Sequence, residues 1–204
     1  MRHGEVHNPD GVLYGRLPGF HLSELGRQMA AAAANELDGH PITALYASPL
    51  LRARESAQPW ADKFKLPIQT DDRLIEPTNK FEGGTYEFGP GVLLHPKIWP
   101  WIINPLKPSW GEPYNDVVAR MFAAIDEAWA GVETGEVVMV SHQMPIVMVQ
   151  RAVAGKRPFH DPRARRCHLS SITTLERRGD SFVEVGYQDP AADLLAQAID
   201  SGAV

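Results

Sequence analysis

Apolar runs and helix-favouring stretches alternate along this chain, and two of the apolar runs end in polar turns that carry reactive side chains. "ITALYASP", residues 42–49, is a short apolar run closed by Pro49, the pattern of a buried strand. "GEVVMVSH", residues 135–142, reads as a second strand ending in a polar turn. "LSELGRQMAAAAANELDG" reads as a helix, with Ser23 placed to cap its start and Gly39 just past its end. "LRARESAQPWADKFK" is helical in pattern, and Pro59 is expected to kink it or break it in two. "YNDVVARMFAAIDEAWAG" places Val117, Val118, Met121, Ile125 and Trp129 near helical spacing, which predicts an amphipathic helix. "PIVMVQRAVAG" predicts a helix opening at Pro145, a good first-turn residue. "PIQTDDRL" is a weak strand, and "SSITTLERRGDSFVEVGY" reads as a hairpin turning at Arg177–Asp180.

This alternation predicts an α/β fold with a mostly parallel central sheet sandwiched by helices. Ligands of such sheets bind beyond the carboxyl ends of the strands. "SPLLRAR" follows the first strand and "SHQMP" the second, so both turns fall on one edge. The 204 residues fit a single domain spanning 1–204. The Gly/Pro/Trp-rich stretch at about 81–113 reads as a loop insertion or lid, because linkers seldom carry Trp99, Trp101 and Trp110. Those tryptophans are expected to anchor the loop or the core.

Composition narrows the partners. A net charge of −5 argues against a nucleic-acid binder, which needs a basic face. It leaves room for a small anion, because a local cluster of arginines dominates its own pocket. The lone Cys167 cannot form an internal disulfide. No apolar run approaches the roughly 20 residues that span a bilayer, and the amino terminus lacks the apolar core of a signal peptide. The expectation is a cytoplasmic protein, monomer or homodimer, with neither nucleic acid nor membrane as partner. His160 and His168 near Cys167 fit no standard zinc spacing, so no metal and no other cofactor is expected.

The chain opens "MRHGEVHNPD", with Arg2 and His3 ahead of Gly4. Suppose that stretch meets Arg52 of "SPLLRAR" and His142 of "VSHQMP" at the sheet edge. Two guanidiniums suit a phosphoryl group, because their planar forks bind its oxygens bidentately and keep their charge. A neutral imidazole can attack phosphorus and form a covalent intermediate. A second imidazole can hydrogen-bond the moving group, and the free N–H groups of a helix after His142 favour an anion. A carboxylic acid must then protonate the leaving oxygen. The substrate class is a small-molecule phosphoester.

Taken in order, "RHGE", "SPLLRARESA", "RLIE", "WGEPYNDVVAR" and "VVMVSHQMPI" resemble the successive motifs of the histidine phosphatase superfamily, also called phosphoglycerate mutase-like. The resemblance covers nearly the whole chain, and "SSITTLE" resembles a late strand of that family. It implies that His3 is the phosphorylated nucleophile, that Arg2, Arg52 and His142 complete the phosphate pocket, and that Glu76 of "RLIE" is the proton donor. Glu82 of "FEGG" is the competing donor. Asn8 lies one step from the family's pocket asparagine and is carried over as a phosphate contact. Gln143 stands where the family commonly has glycine, with an amide able to reach phosphate or substrate. Glu5 is expected to orient an arginine, and Arg54 and Glu55 to form a solvated helix face.

The leading reading is a phosphomonoester hydrolase working through phosphohistidine. A phosphoglycerate mutase-type phosphotransferase is the alternative within the fold, and a non-catalytic phosphate-binding module is the alternative outside catalysis. The apolar character of residues 81–105 disfavours a doubly anionic bisphosphate. The resembled family reaches "RHG" through a central strand, which needs roughly 5 residues. Only Met1 and Arg2 precede His3, so the natural chain is expected to begin upstream with an apolar run.

Overall fold

A computed structural model describes residues 1–84, 111–161 and 164–200. The described elements are α1 (Glu24–Glu36), β1 (Ile42–Ala47), α2 (Leu51–Phe64), β2 (Ile68–Thr70), a 3-10 turn (Asp72–Leu74), α3 (Tyr114–Ala130), β3 (Glu136–Val140), α4 (Gln143–Val153), β4 (Ile172–Arg178), β5 (Ser181–Gln188) and a short α5 (Ala192–Leu195). The tryptophans of the 81–113 insertion lie outside the described residues.

β1 pairs in parallel with β2 on one side and β3 on the other, in the order β2-β1-β3. β4 and β5 form the antiparallel hairpin, turning at Gly179 with φ +63. Leu45, Ala47, Val138 and Val140 of the parallel strands are buried, with Ala53, Ala57 and Trp60 of α2 in the same core cluster. Val117, Met121 and Ala124 of α3 cluster with Met144, Ile146, Val147 and Met148 of α4. These faces follow the apolar spacing of each helix. The exception is Trp129, which is 51% exposed and lies against the Arg177 guanidinium at 4.8 Å rather than in the core. Among the described residues no helix is long and apolar enough to cross a membrane.

Two helix expectations are corrected. α2 is not broken in two at Pro59 but runs as one helix through it. A proline inside a helix costs about 3 kcal/mol, and burial of Ala53, Ala57 and Trp60 on the faces around it offsets that cost. α4 begins at Gln143, with His142 as its N-cap, so Pro145 is the third helical residue. Its missing N–H is still one of the unpaired donors of the first turn, so no intrahelical bond is lost.

The opening residues are not frayed. Ser141 N donates to Met1 O at 2.9 Å and His3 N donates to Ser141 O at 3.1 Å. On the other flank, Arg2 N donates to Ser171 O and Ser170 N to His3 O, both at 3.1 Å. Residues 1–3 are therefore stitched between the end of β3 and the start of β4. Gly4 then passes close to α1: a Cβ on Gly4 would sit 2.3 Å from Gly26 O, and one on Gly26 2.0 Å from Glu5 O. Only glycine at both positions allows this approach of two backbones.

Below Met1, a cleft of about 580 Å³ separates β3 from β4, lined by Met1, Trp60, Val138, Thr173, Leu175 and Phe182. The facing strands belong to separate sheets. Trp60, Val138, Leu175 and Phe182 give the cleft largely apolar walls. Fusing five apolar, β-branched residues ahead of Met1 is expected to raise Tm by at least about 5 °C. Fully burying two such side chains is worth about 3–6 kcal/mol, and each kcal/mol moves Tm by about 2–4 °C at this size. The same fusion with a central proline cannot complete the ladder and is expected to gain little. Thermal melts of the three proteins check this, and equal gains from both fusions would refute it.

Candidate active site

The carboxyl ends of β1 and β3 lie in register, with Ala47 opposite Val140. Ser48 and Ser141 follow at the same level, and the opening stretch joins them there. Arg2, His3, Arg52 and His142 are all buried, at 0%, 1%, 1% and 0% exposure, although such polar residues seldom are. The His3 and His142 ring centroids are 5.1 Å apart at 60°.

His3 Nδ1 lies 2.7 Å from Gly4 O. A carbonyl only accepts, so Nδ1 carries the proton and Nε2 the lone pair. Burial and the Arg52 and Arg2 charges hold the imidazole pKa well below its usual range, so it is neutral at pH 7. His142 is held neutral by burial and by the Arg52 charge. Its Nε2 meets Ser48 Oγ at 2.7 Å, and its Nδ1 lies 3.7 Å from Glu76 Oε2.

The two guanidiniums are each anchored along part of their rim. Arg2 Nη1 donates to Cys167 O and to Asp200 Oδ2, both at 2.7 Å, and Nη2 donates to Asp200 Oδ1. That uses the Nη1–Nη2 edge and leaves Nε buried with no partner. Arg52 Nη2 donates to Gly15 O at 2.7 Å, its Cζ lies 4.7 Å from the Tyr14 ring centroid, and its Nε is likewise buried and unpartnered. His142 Nδ1 is a third buried nitrogen without a hydrogen-bond partner. Unpaired buried donors such as the two arginine Nε groups cost about 1–3 kcal/mol each, and together with the unpartnered His142 Nδ1 they mark a polar site open to a ligand.

Glu76 follows the 3-10 turn. Ser141 Oγ donates to Leu74 O at 2.7 Å, and Arg16 Nε donates to the backbone oxygen of Glu76 at 2.5 Å. These bonds fix the loop against the end of β3. Burial pushes the Glu76 carboxyl up to about 7, against the downward pull of Arg52 and Arg2. Near neutrality it therefore holds a proton much of the time, as a general acid must. Glu82, the competing donor, instead accepts from Asn79 N at 3.2 Å in its own turn.

Other residues singled out in the sequence have internal partners. Asn8 is turned into its own loop: its Nδ2 donates to Val12 O at 2.9 Å and its Oδ1 accepts from Val12 N at 3.0 Å. Each amide atom makes one bond that closes the turn. The Gln143 amide is also engaged: Oε1 accepts from Arg165 Nη1 at 3.0 Å, and Nε2 points to Cys167 O at 3.5 Å. Among the described residues Glu5 pairs with no arginine. It accepts from Ser23 Oγ, the cap of α1, and from Ile199 N at 2.7 Å. Glu55 is not merely solvated, because it accepts from Leu22 N at 2.7 Å and pairs with His21. Sequence reasoning missed Ser48, Tyr14, Asp200 and Arg165. Ser48 was within reach, standing in "SPLLRAR" one residue past its strand.

The model of the histidine phosphatase superfamily, branch 1, matches residues 1–190. The chain belongs to this superfamily. An uncharacterized protein of Mycobacterium tuberculosis is 50% identical over 192 residues, covering 94% of this chain and 95% of that protein. Among solved structures, YhfR of Bacillus stearothermophilus superposes with a TM-score of 0.76 at 26% identity, covering 90% of this chain and 92% of that one. A mycobacterial glucosyl-3-phosphoglycerate phosphatase superposes with a TM-score of 0.63 at 26% identity, covering 77% and 78%.

Proposed function

We propose that this member of the superfamily is a phosphomonoester hydrolase working through a phosphohistidine. The observation that carries it is the trio of buried, unpartnered nitrogens, Arg2 Nε, Arg52 Nε and His142 Nδ1, around a neutral His3 whose tautomer is fixed. His3 Nε2 attacks phosphorus, forming the N–P bond as the ester P–O bond breaks. Arg2 and Arg52 hold the equatorial oxygens, where charge stabilisation supplies most of the catalysis. Glu76 gives its proton to the departing alcohol oxygen. As a carboxylate it then takes a proton from the water that attacks phosphohistidine, which releases phosphate and restores both groups. The phosphatase named among the structural relatives supports hydrolysis as the outcome.

The reading is tested by assaying release of inorganic phosphate from p-nitrophenyl phosphate and a panel of alkyl phosphates, with and without EDTA. The guanidiniums supply the positive charge, so release is expected to persist in the chelator. Abolition by EDTA would overturn the mechanism. Transfer to a second alcohol in place of release would assign the protein to the phosphotransferases, and binding without turnover to the phosphate-binding modules.

A further inference from the structure

Of Arg2 and Arg52, only Arg2 has a carboxylate partner among the described residues, and that partner lies beyond the stretch that matches the family. The match ends at residue 190. The chain continues through α5 and returns to the opening residues. Leu194, Leu195 and Ala198 pack against a small core of Met29, Leu169 and Ala191. Ile199 N donates to Glu5 Oε1 at 2.7 Å, and Glu5 in turn accepts from Ser23 Oγ at the cap of α1. This strap brings Asp200 onto Arg2. Arg52, by contrast, is held by the neutral carbonyl of Gly15 at 2.7 Å.

The contacts divide the Arg2 guanidinium by edge. Nη1 gives one N–H to Cys167 O and the other to Asp200 Oδ2, both at 2.7 Å, and Nη2 gives one to Asp200 Oδ1. The fork is planar, so the remaining N–H of Nη2 points the same way as Nε–H. Nε is buried and has no partner. Asp200 therefore takes the end of the fork, and the side edge is left for the oxygens of a phosphoryl group. Cys167 O accepts from one nitrogen alone. The paired bonds to one carboxylate are what keep the plane from turning. The carboxylate also offsets the cost of burying a guanidinium, which is large when the charge is unpaired. Asp200 is 40% exposed, so its own charge stays solvated while it holds a fully buried one.

We propose that Asp200 is a positioning residue for phosphoryl transfer: carried by the strap after α5, it holds Arg2 end-on and turns the side edge of the guanidinium toward the phosphoryl group at His3. It acts through Arg2, and the role rests on the hydrolase reading.

Asp200→Asn keeps the size of the side chain but removes the charge and one acceptor, because an amide nitrogen only donates. It is expected to lower kcat/KM by about 10–10²-fold, the scale on which a displaced catalytic group is felt. The loss should be equal for alkyl and aryl phosphates, which present the same phosphoryl oxygens. Asp200→Glu is expected to recover part of it. In an Arg2→Lys background, which lacks the fork, Asp200→Asn is expected to cost less than about 2-fold, since both changes act on one interaction. Calorimetry with inorganic phosphate reads the same coupling without turnover: weaker binding in Asp200→Asn, and little further loss once Arg2 is lysine. Unchanged kcat/KM in Asp200→Asn, or equal losses in the wild-type and Arg2→Lys backgrounds, would overturn the assignment. Tighter phosphate binding in Asp200→Asn would make the carboxylate a competitor for Arg2 and overturn it as well. Absence of hydrolysis with the phosphate-binding coupling intact would overturn the hydrolase reading and leave the placement of Arg2 by Asp200 standing.

Discussion

His3→Ala is expected to lower turnover of every phosphomonoester by on the order of 10⁴-fold or more, the scale on which loss of a covalent nucleophile is felt. The variant is also expected to lose the labelled intermediate. Phosphohistidine is destroyed by acid and survives alkali. Wild-type protein quenched in alkali during turnover of a ³²P-labelled ester should therefore carry the label on His3. The geometry specifies the atom, because Nδ1 is committed to Gly4 O and Nε2 keeps the lone pair. It also specifies the readiness of the group, since burial and two guanidiniums keep the ring unprotonated at neutral pH. His142→Ala serves as a contrast. It removes a buried ring that faces Ser48 and Glu76 and leaves the nucleophile in place. It is expected to slow the reaction while still allowing a trapped intermediate. Label that persists in His3→Ala would place the covalent step elsewhere.

The parts of the site that were legible in the sequence are those fixed by local pattern. A strand followed at once by a polar turn places its first side chains at the sheet edge, which is how Arg52 and His142 were found from "SPLLRAR" and "VSHQMP". Ser23 announced the cap of α1, and its Oγ accepts from Gly26 N at 2.9 Å. His3 and Glu76 needed the resemblance as well, because neither stands on an element readable from spacing. What stayed illegible depends on partners far along the chain. Asp200 lies 198 residues from Arg2, on a stretch with no motif of its own. Arg165 sits in "RARRC", where nothing local separates the arginine that turns inward from Arg166, which pairs with Glu184. Asn8 and Gln143 were read as phosphate contacts because their amides are near the right motifs. The direction of an amide is set by the competing acceptors and donors around it, here Val12 and Arg165. Trp129 kept helical spacing yet lies at the edge of the buried stripe, where the arginine of a neighbouring hairpin covers it.

Glu76→Gln separates proton donation from positioning. An alkoxide leaving group requires a proton, whereas nitrophenolate departs without one. The variant is expected to slow alkyl phosphates by about 10²–10⁴-fold and p-nitrophenyl phosphate far less. The pH profile of the wild-type protein supplies the second half of the test. The reactive form needs Glu76 protonated and His3 neutral. Burial pushes Glu76 up to about 7, so the fraction holding a proton falls tenfold per unit above that pH, and kcat for alkyl substrates should fall with it. The His3 pKa lies well below 6.5, so the nucleophile is already neutral on the acid side of this limb. Loss of rate toward low pH should instead follow the substrate's own second ionisation, near pKa about 6 for a phosphate monoester. With p-nitrophenyl phosphate the alkaline limb should be absent in the phosphorylation step, since no proton is given. Single-turnover burst rates measured between pH 5 and 9 on both substrates, in wild type and Glu76→Gln, read these limbs directly. The variant should show a flat profile above neutrality with alkyl phosphates as well. A fall above pH 7 that persists in Glu76→Gln, or equal losses on the two substrate classes, would give Glu76 a positioning role. Selective loss of alkyl turnover in Glu82→Gln would move the proton donor to Glu82, against the hydrogen bond that holds that carboxylate to Asn79 N at 3.2 Å.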